Sequence, residues 1–276
     1  MKKGSRMPNE PPAKISFYVV AHADDWQLFM YPNVYNDLVS SGSNVVFIIT
    51  TAGDAGTGET YWGAREEGLK SSVRFCLAPL AALSQSSGTR EFNDHTVNYW
   101  STNNVTSYFL RLPDGNLEGN GFPANGYQSL SKLKVGQIRS IMAVDDSSTY
   151  HSWPDFYTTL QTIILFESLG LSNVWINYLN PDTSTNPKDH SDHIVTGQAI
   201  QAMGIISSLQ QALFIGYNVS NASDNLPRTD LFWKAGMFAA YEKAVFDGSG
   251  YSTLQEGIHT YLEWCLRSAD FITVNP

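Results

Sequence analysis

Apolar and polar positions alternate along the chain in two rhythms, and their order predicts a layered α/β fold. Residues 15–20 (ISFYVV) form a short β-branched and aromatic run that gives way at once to polar residues, as a strand entering a loop does. Leu28, Tyr31, Val34, Tyr35 and Leu38 then recur at helical spacing. A second apolar strand is predicted over 43–50, followed by a glycine-rich loop over 51–60 and a helix from about 62 to 77. Beyond a long irregular section, 84–125, helices are predicted near 127–141 and 154–169 and a buried strand over 173–177. A helix from His190, a strand over 212–216 and two helices near 231–246 and 252–267 complete the chain, which contains no internal repeat. Strands alternating with helices predict a mostly parallel sheet covered on both faces, a Rossmann-like three-layer α/β fold. In such a fold ligands bind where strand ends run into loops.

Composition narrows the function classes. A chain of 276 residues, 42% hydrophobic and only 16% charged, is a folded body rather than a disordered one. The expected organisation is a flexible tail over 1–14 and one domain over 15–276. The net charge of -9, with 17 Lys and Arg scattered except for Lys2, Lys3 and Arg6, argues against a nucleic-acid partner. No run approaches the ~20 apolar residues of a membrane span, and the N-terminal stretch lacks the apolar core of a signal peptide, so a cytoplasmic protein is expected. Cys76 and Cys265 lie far apart in apolar surroundings, which predicts buried free thiols rather than a redox or metal pair. An oligomer is compatible with the sequence.

Two clusters carry candidate chemistry. Directly after the first strand comes Ala21-His22-Ala23-Asp24-Asp25, and after the strand over 173–177 comes Asp189-His190-Ser191-Asp192-His193, opening a helix. A His followed three residues later by Asp can direct a nitrogen and an oxygen at one point, and both suit zinc. Histidines at i and i+3 share a helical face, so one can bind metal while the other faces a substrate. The plainer alternatives are an Asp that caps a helix and two histidines exposed at a helix start.

These segments resemble the AHPDD and HPDH signatures of the PIG-L (LmbE-like) zinc de-N-acetylase family. Thr51-Ala52-Gly53-Asp54-Ala55-Gly56, Arg65-Glu66-Glu67 and Arg111-Leu112-Pro113-Asp114-Gly115 resemble further family segments in the same order, and together they cover about residues 15–200. The last 75 or so residues resemble nothing in the family. Carried over position by position, the resemblance implies one Zn²⁺ held by His22, Asp25 and His193, with Asp24 as general base. It implies that His190, protonated, faces the substrate carbonyl, and that Arg65 and Asp114 contact sugar hydroxyls. The implied substrate is an N-acetylated or otherwise N-acylated amino sugar or glycoconjugate, such as one of N-acetylglucosamine, and the products are acetate and a free amine.

Arg65 also reads as a salt-bridge residue at a helix start, and Asp114 as part of an ordinary Pro-Asp-Gly turn. Ala23 and Ser191 replace the prolines of the two signatures, which loosens the backbone without removing a ligand. Trp26 stands where the family carries an acidic residue, and is read as a ring at the pocket mouth that contacts substrate. A reading from another class is a non-catalytic α/β module binding sugars or nucleotides, with 53–58 as an anion-binding loop. That stretch lacks both the Lys-Ser/Thr of a Walker motif and the GxGxxG fingerprint.

Overall fold

A computed structural model describes residues 14–80, 82–268 and 272–276, with the side chains of 255–260 and 262 outside the description. Its strands are β1 (Lys14–Val20), β2 (Ser43–Thr51), β3 (Gln85–Phe92), β4 (His95–Thr102), β5 (Val105–Leu112), β6 (Ile141–Met142), β7 (Thr149–Tyr150), β8 (Val174–Leu179), β9 (Gln210–Phe214) and β10 (Ile272–Val274). The helices are α1 (Asp25–Phe29), α2 (Asn33–Leu38), α3 (Glu59–Leu77), α4 (Leu130–Lys134), α5 (Trp153–Glu167), α6 (Ser191–Ala202), α7 (Arg228–Ser249) and α8 (Thr253–Leu266).

Eight strands form one sheet in the order β10-β9-β8-β1-β2-β5-β4-β3. The five central strands, β9, β8, β1, β2 and β5, pair in parallel, and antiparallel partners finish both edges. Chain order runs outward from β1 in both directions, through β2 and β5 on one side and β8 and β9 on the other. The crevice beyond the carboxyl ends of β1 and β8 is therefore the topological switch point, where open α/β sheets bind ligands.

The apolar pattern of the central strands explains the two covered faces. Ile15, Phe17 and Val19 of β1 join Val46 and Ile48 of β2 in a core with residues of α5 and α6, such as Ile163 and Ala199. Tyr18 and Val20 join Val45, Phe47 and Ile49 in a second core with residues of α1, α3 and α7, such as Trp26, Leu69 and Tyr241. A strand without a solvent side reads as a continuous apolar run, which is what 15–20 is. Each fully buried large apolar side chain contributes about 1.5–3 kcal/mol.

Several expectations change. β1 begins at Lys14, the last residue of the expected tail, and 1–13 lie outside the described residues. The section 84–125 is irregular only beyond Leu112, because β3, β4 and β5 make an antiparallel meander over its first part. The helix expected over 127–141 shrinks to α4, whose chain turns away at Gly136 with φ of 74°, a conformation open to glycine without strain. The helical pattern over 28–38 is cut into α1 and α2 at Pro32, which has no N–H to donate and disfavours a helical Tyr31. Both cysteines are free and buried, and burial pushes the Cys76 thiol up to about 12. Among the described residues no helix is long and apolar enough to cross a membrane.

Candidate metal centre

The two clusters meet at the switch point. β1 delivers Ala21 to Asp25 beyond its carboxyl end, and β8 leads through a polar loop to α6, whose N-cap is His190. His22 and His193, 171 residues apart, face each other with Nδ1 3.2 Å from Nε2. Asp25 Oδ1 lies 3.4 Å from His22 Nδ1 and 3.1 Å from His193 Nε2. Three donors bonded to zinc at about 2.0–2.1 Å in tetrahedral geometry stand about 3.3 Å from one another. The triangle matches that spacing.

Two corners of the triangle are held by hydrogen bonds from behind. His193 Nδ1 sits 3.0 Å from Asp189 Oδ1, and Asp189 in turn accepts from Asn186 Nδ2 at 2.6 Å and from the Tyr217 N–H at 3.2 Å. The Asp25 carboxylate accepts the His22 N–H at 2.8 Å. Behind His22, Nε2 has no hydrogen-bond partner among the described residues and lies 3.6 Å from Asp192 Oδ2. Carboxylates placed behind ligating imidazoles fix their tautomer and raise their basicity. Asp189→Asn is therefore expected to weaken the hold of the triangle on a metal ion about tenfold to hundredfold, read by competition with a chromogenic chelator. An unchanged affinity would mean that Asp189 does not orient the ring.

A second grouping, His22, Asp114, His190 and Asp192, also brings its donor atoms within 4.8 Å of one another. Its contacts are longer, 4.0 Å from His22 Nε2 to Asp114 and 3.9 Å from His190 Nε2 to Asp114, and Asp192 Oδ2 already accepts the Gly115 N–H. The buried His/Asp cluster as a whole can hold a metal ion. Asp24, Asp25, Asp114, Asp189 and Asp192 bring five carboxylates against one guanidinium and three imidazoles, a surplus of negative charge that a divalent cation would offset.

The titration of the cluster follows from the same crowding. Burial works to lower the His22 pKa, but the carboxylates of Asp25 and Asp192 outweigh it and push it up to about 10. His193 is likewise raised against burial by Asp25 and Asp189. His190 goes the other way, because burial and the neighbouring His22 push it down to about 4. That direction runs against the protonated His190 that the resemblance implies. Its Nδ1 accepts the Asp192 N–H at 3.1 Å, which leaves the hydrogen of the neutral ring on Nε2, toward Asp114.

Asp24 stands beside the triangle and outside it. One carboxylate oxygen, Oδ1, is paired with the Arg65 guanidinium, while Oδ2 has no hydrogen-bond partner among the described residues. Arg65 is buried, and each of its three nitrogens makes a hydrogen bond: Nη2 holds Asp24, Nη1 donates to the Gly53 carbonyl at 2.7 Å and Nε donates to the Tyr241 hydroxyl at 2.8 Å. Gly53 has φ of 57°, and a Cβ there would sit 2.4 Å from Arg65 Nη1, so glycine is required on both counts. Arg65 thus steadies the acid and also lines the pocket.

The remaining site residues divide. Asp114 lines the same pocket, of about 90 Å³, as His22, Asp24 and His190. Trp26 does not: its ring is fully buried in the core, 4.8 Å from the Phe47 ring, so the expected ring at the mouth is corrected. The aromatic wall comes instead from Tyr217, Tyr261 and Trp264, with Tyr217 and Trp264 stacked at 4.7 Å. α8 is fixed there by Ser252 Oγ, which donates to Glu242 at 2.8 Å, and by Lys234 Nζ, which donates to the Trp264 carbonyl at 2.7 Å. Burial pushes Lys234 down to about 7.

The glycine-rich loop binds its own acid. Asp54 accepts N–H groups from Gly56 at 3.0 Å and Asp114 at 2.8 Å, occupying donors that an anion would need. Asp189 and Asp192 were visible in the sequence as acids flanking the His190–His193 pair, whereas nothing local marked Tyr217, Tyr241, Tyr261 or Trp264. In comparisons with known proteins, no family model matches the chain and no curated protein is similar to it.

Proposed function

We propose that the chain is a zinc-dependent hydrolase that removes an N-acetyl or other N-acyl group from an amino sugar or glycoconjugate. The observation that carries this reading is the triangle of His22 Nδ1, Asp25 Oδ1 and His193 Nε2, with edges of 3.1 to 3.4 Å, beside a carboxylate that belongs to no corner. Imidazole and carboxylate donors in this number suit zinc in an open catalytic site. The strand order about β1 suits the Rossmann-like arrangement that the resemblance to the PIG-L family implies.

Zinc held by the three donors would supply Lewis acidity toward the acyl oxygen and a water whose pKa falls toward ~7. Asp24 takes the proton of the attacking water on Oδ2, the oxygen that Arg65 leaves free. The His190 Nε2–H, kept in that tautomer by the Asp192 backbone, donates to the acyl oxygen as charge gathers there. Asp24 then returns the proton to the nitrogen as the C–N bond breaks. The amide and one water become a carboxylic acid, acetate for an acetyl group, and a free amine.

Metal removal tests the reading directly. Dialysis against a chelator is expected to abolish acetate release from N-acetylglucosamine conjugates, and about one equivalent of zinc per chain is expected to restore it. A stripped protein that still releases acetate at the original rate overturns the proposal.

A further inference from the structure

The pocket at the metal centre, about 90 Å³, is far below the ~300–1000 Å³ of a site that encloses a whole small-molecule ligand. Most of any substrate must therefore rest elsewhere. A cleft of about 510 Å³ opens where the start of α3 meets the turn between α7 and α8. Its walls are the rings of Tyr61 and Tyr251, packed edge to face at 5.1 Å, and the small side chains of Ala55, Thr57 and Thr60 around Gly58. Among the described residues, no acid, base or histidine lines it.

This cleft adjoins the metal centre through Tyr61. The Arg65 guanidinium lies 5.9 Å from the Tyr61 ring centroid, and the same guanidinium pairs with Asp24 and lines the metal pocket. Asp24 and Asp114 both act electrostatically on the Tyr61 phenol. A cavity of similar size, about 540 Å³, lies beside His95 and Asp155, but it is polar.

We infer that the cleft is the aglycone subsite of the hydrolase: it takes an apolar group of aryl size attached to the amino sugar whose N-acyl group is held at the metal centre. The inference rests on the hydrolase reading. A small polar pocket for the scissile group beside an apolar cleft for its bulkier attachment divides a substrate by polarity. Flat tyrosine rings offer edges and faces to an aromatic guest at little entropic cost.

The test compares the phenyl and methyl glycosides of N-acetylglucosamine. The zinc-loaded protein is expected to show a KM about tenfold lower for the phenyl glycoside, from burial of the ring. Gly58→Trp fills the cleft at a position where an added Cβ meets no atom within 4 Å and the backbone, at φ of -89°, accepts any residue. In that variant the preference is expected to vanish while kcat on the methyl glycoside stays unchanged. Thr60→Trp, at an exposed lining position, serves as the second filling variant should the first not fold. Equal KM values for the two glycosides, or a preference that survives both filled variants, overturn the inference.

Calorimetry with phenyl glucosaminide, the deacetylated product, separates this inference from the hydrolase reading. Binding that is tighter than for methyl glucosaminide and lost in Gly58→Trp supports the cleft even if neither acetylated glycoside is hydrolysed. Equal binding of the two amines sinks it.

Discussion

Replacing His193 with alanine is expected to yield a folded protein that retains no zinc and releases no acetate. His193 Nε2 supplies two of the three edges of the donor triangle, 3.2 Å to His22 and 3.1 Å to Asp25, so its loss leaves two donors and no three-point grip. The substitution also leaves the buried Asp189 carboxylate, which faces the imidazole at 3.0 Å, one partner short beside Asn186 and Tyr217. An acceptor left in this way costs about 1–3 kcal/mol, which for a chain of this length lowers Tm by several degrees. Zinc content after dialysis, measured by atomic emission, and a thermal melt decide the matter. A variant that keeps a full equivalent of zinc would move the metal to the neighbouring group of His22, Asp114, His190 and Asp192, where His190→Ala would then be the damaging change.

Asp24→Asn is expected to do the reverse, keeping zinc while losing on the order of 10² to 10⁴ in kcat, the usual contribution of a positioned general base. The amide has nearly the shape of the carboxylate, and its oxygen can still accept from Arg65, so the local arrangement survives. It cannot take a proton from water. Zinc content and acetate release measured on one preparation separate the two functions. An unimpaired rate in this variant removes Asp24 from the mechanism.

The parts of the fold that could be read in advance were those with a single physical cause. Burial on both faces makes β1 and β2 continuous apolar runs, and each meets its loop at a change to polar residues. The meander escaped because its edge strand, β3, is almost wholly solvent-exposed and carries a polar sequence without an apolar face. Its turn signals were short: Asn93 and Asp94 take positive φ between β3 and β4, and Asn103 does so between β4 and β5. These are the backbone values of two-residue hairpin loops, for which Asn-Asp and Asn-Asn are weaker marks than Asn-Gly.

Within the site, the donor triangle was legible because each ligand sits at a strand or helix end with its neighbours in sequence. Trp26 was misread for a matter of one helical step: Asp25 looks into the pocket, while the adjacent ring turns into the core against Phe47. The hold of Arg65 on Asp24 was not legible because its partners, Asp24, Gly53 and Tyr241, come from three distant stretches. The aromatic wall had no sequence signal, since Tyr261 and Trp264 reach the pocket only through the packing of α8, and Tyr217 comes from the turn after β9.

The brace from Tyr241 through Arg65 to Asp24 means that loading with metal and competence for turnover have separate foundations. In the proposed hydrolase the cation would rest on side chains that follow β1 and β8, whereas the aim of the acid beside it is set by a phenol 176 residues downstream of the guanidinium it steadies. A lesion in α7 can thus produce an enzyme that stains for zinc, melts as one unit and does nothing, because its proton acceptor has drifted while its ligands have not.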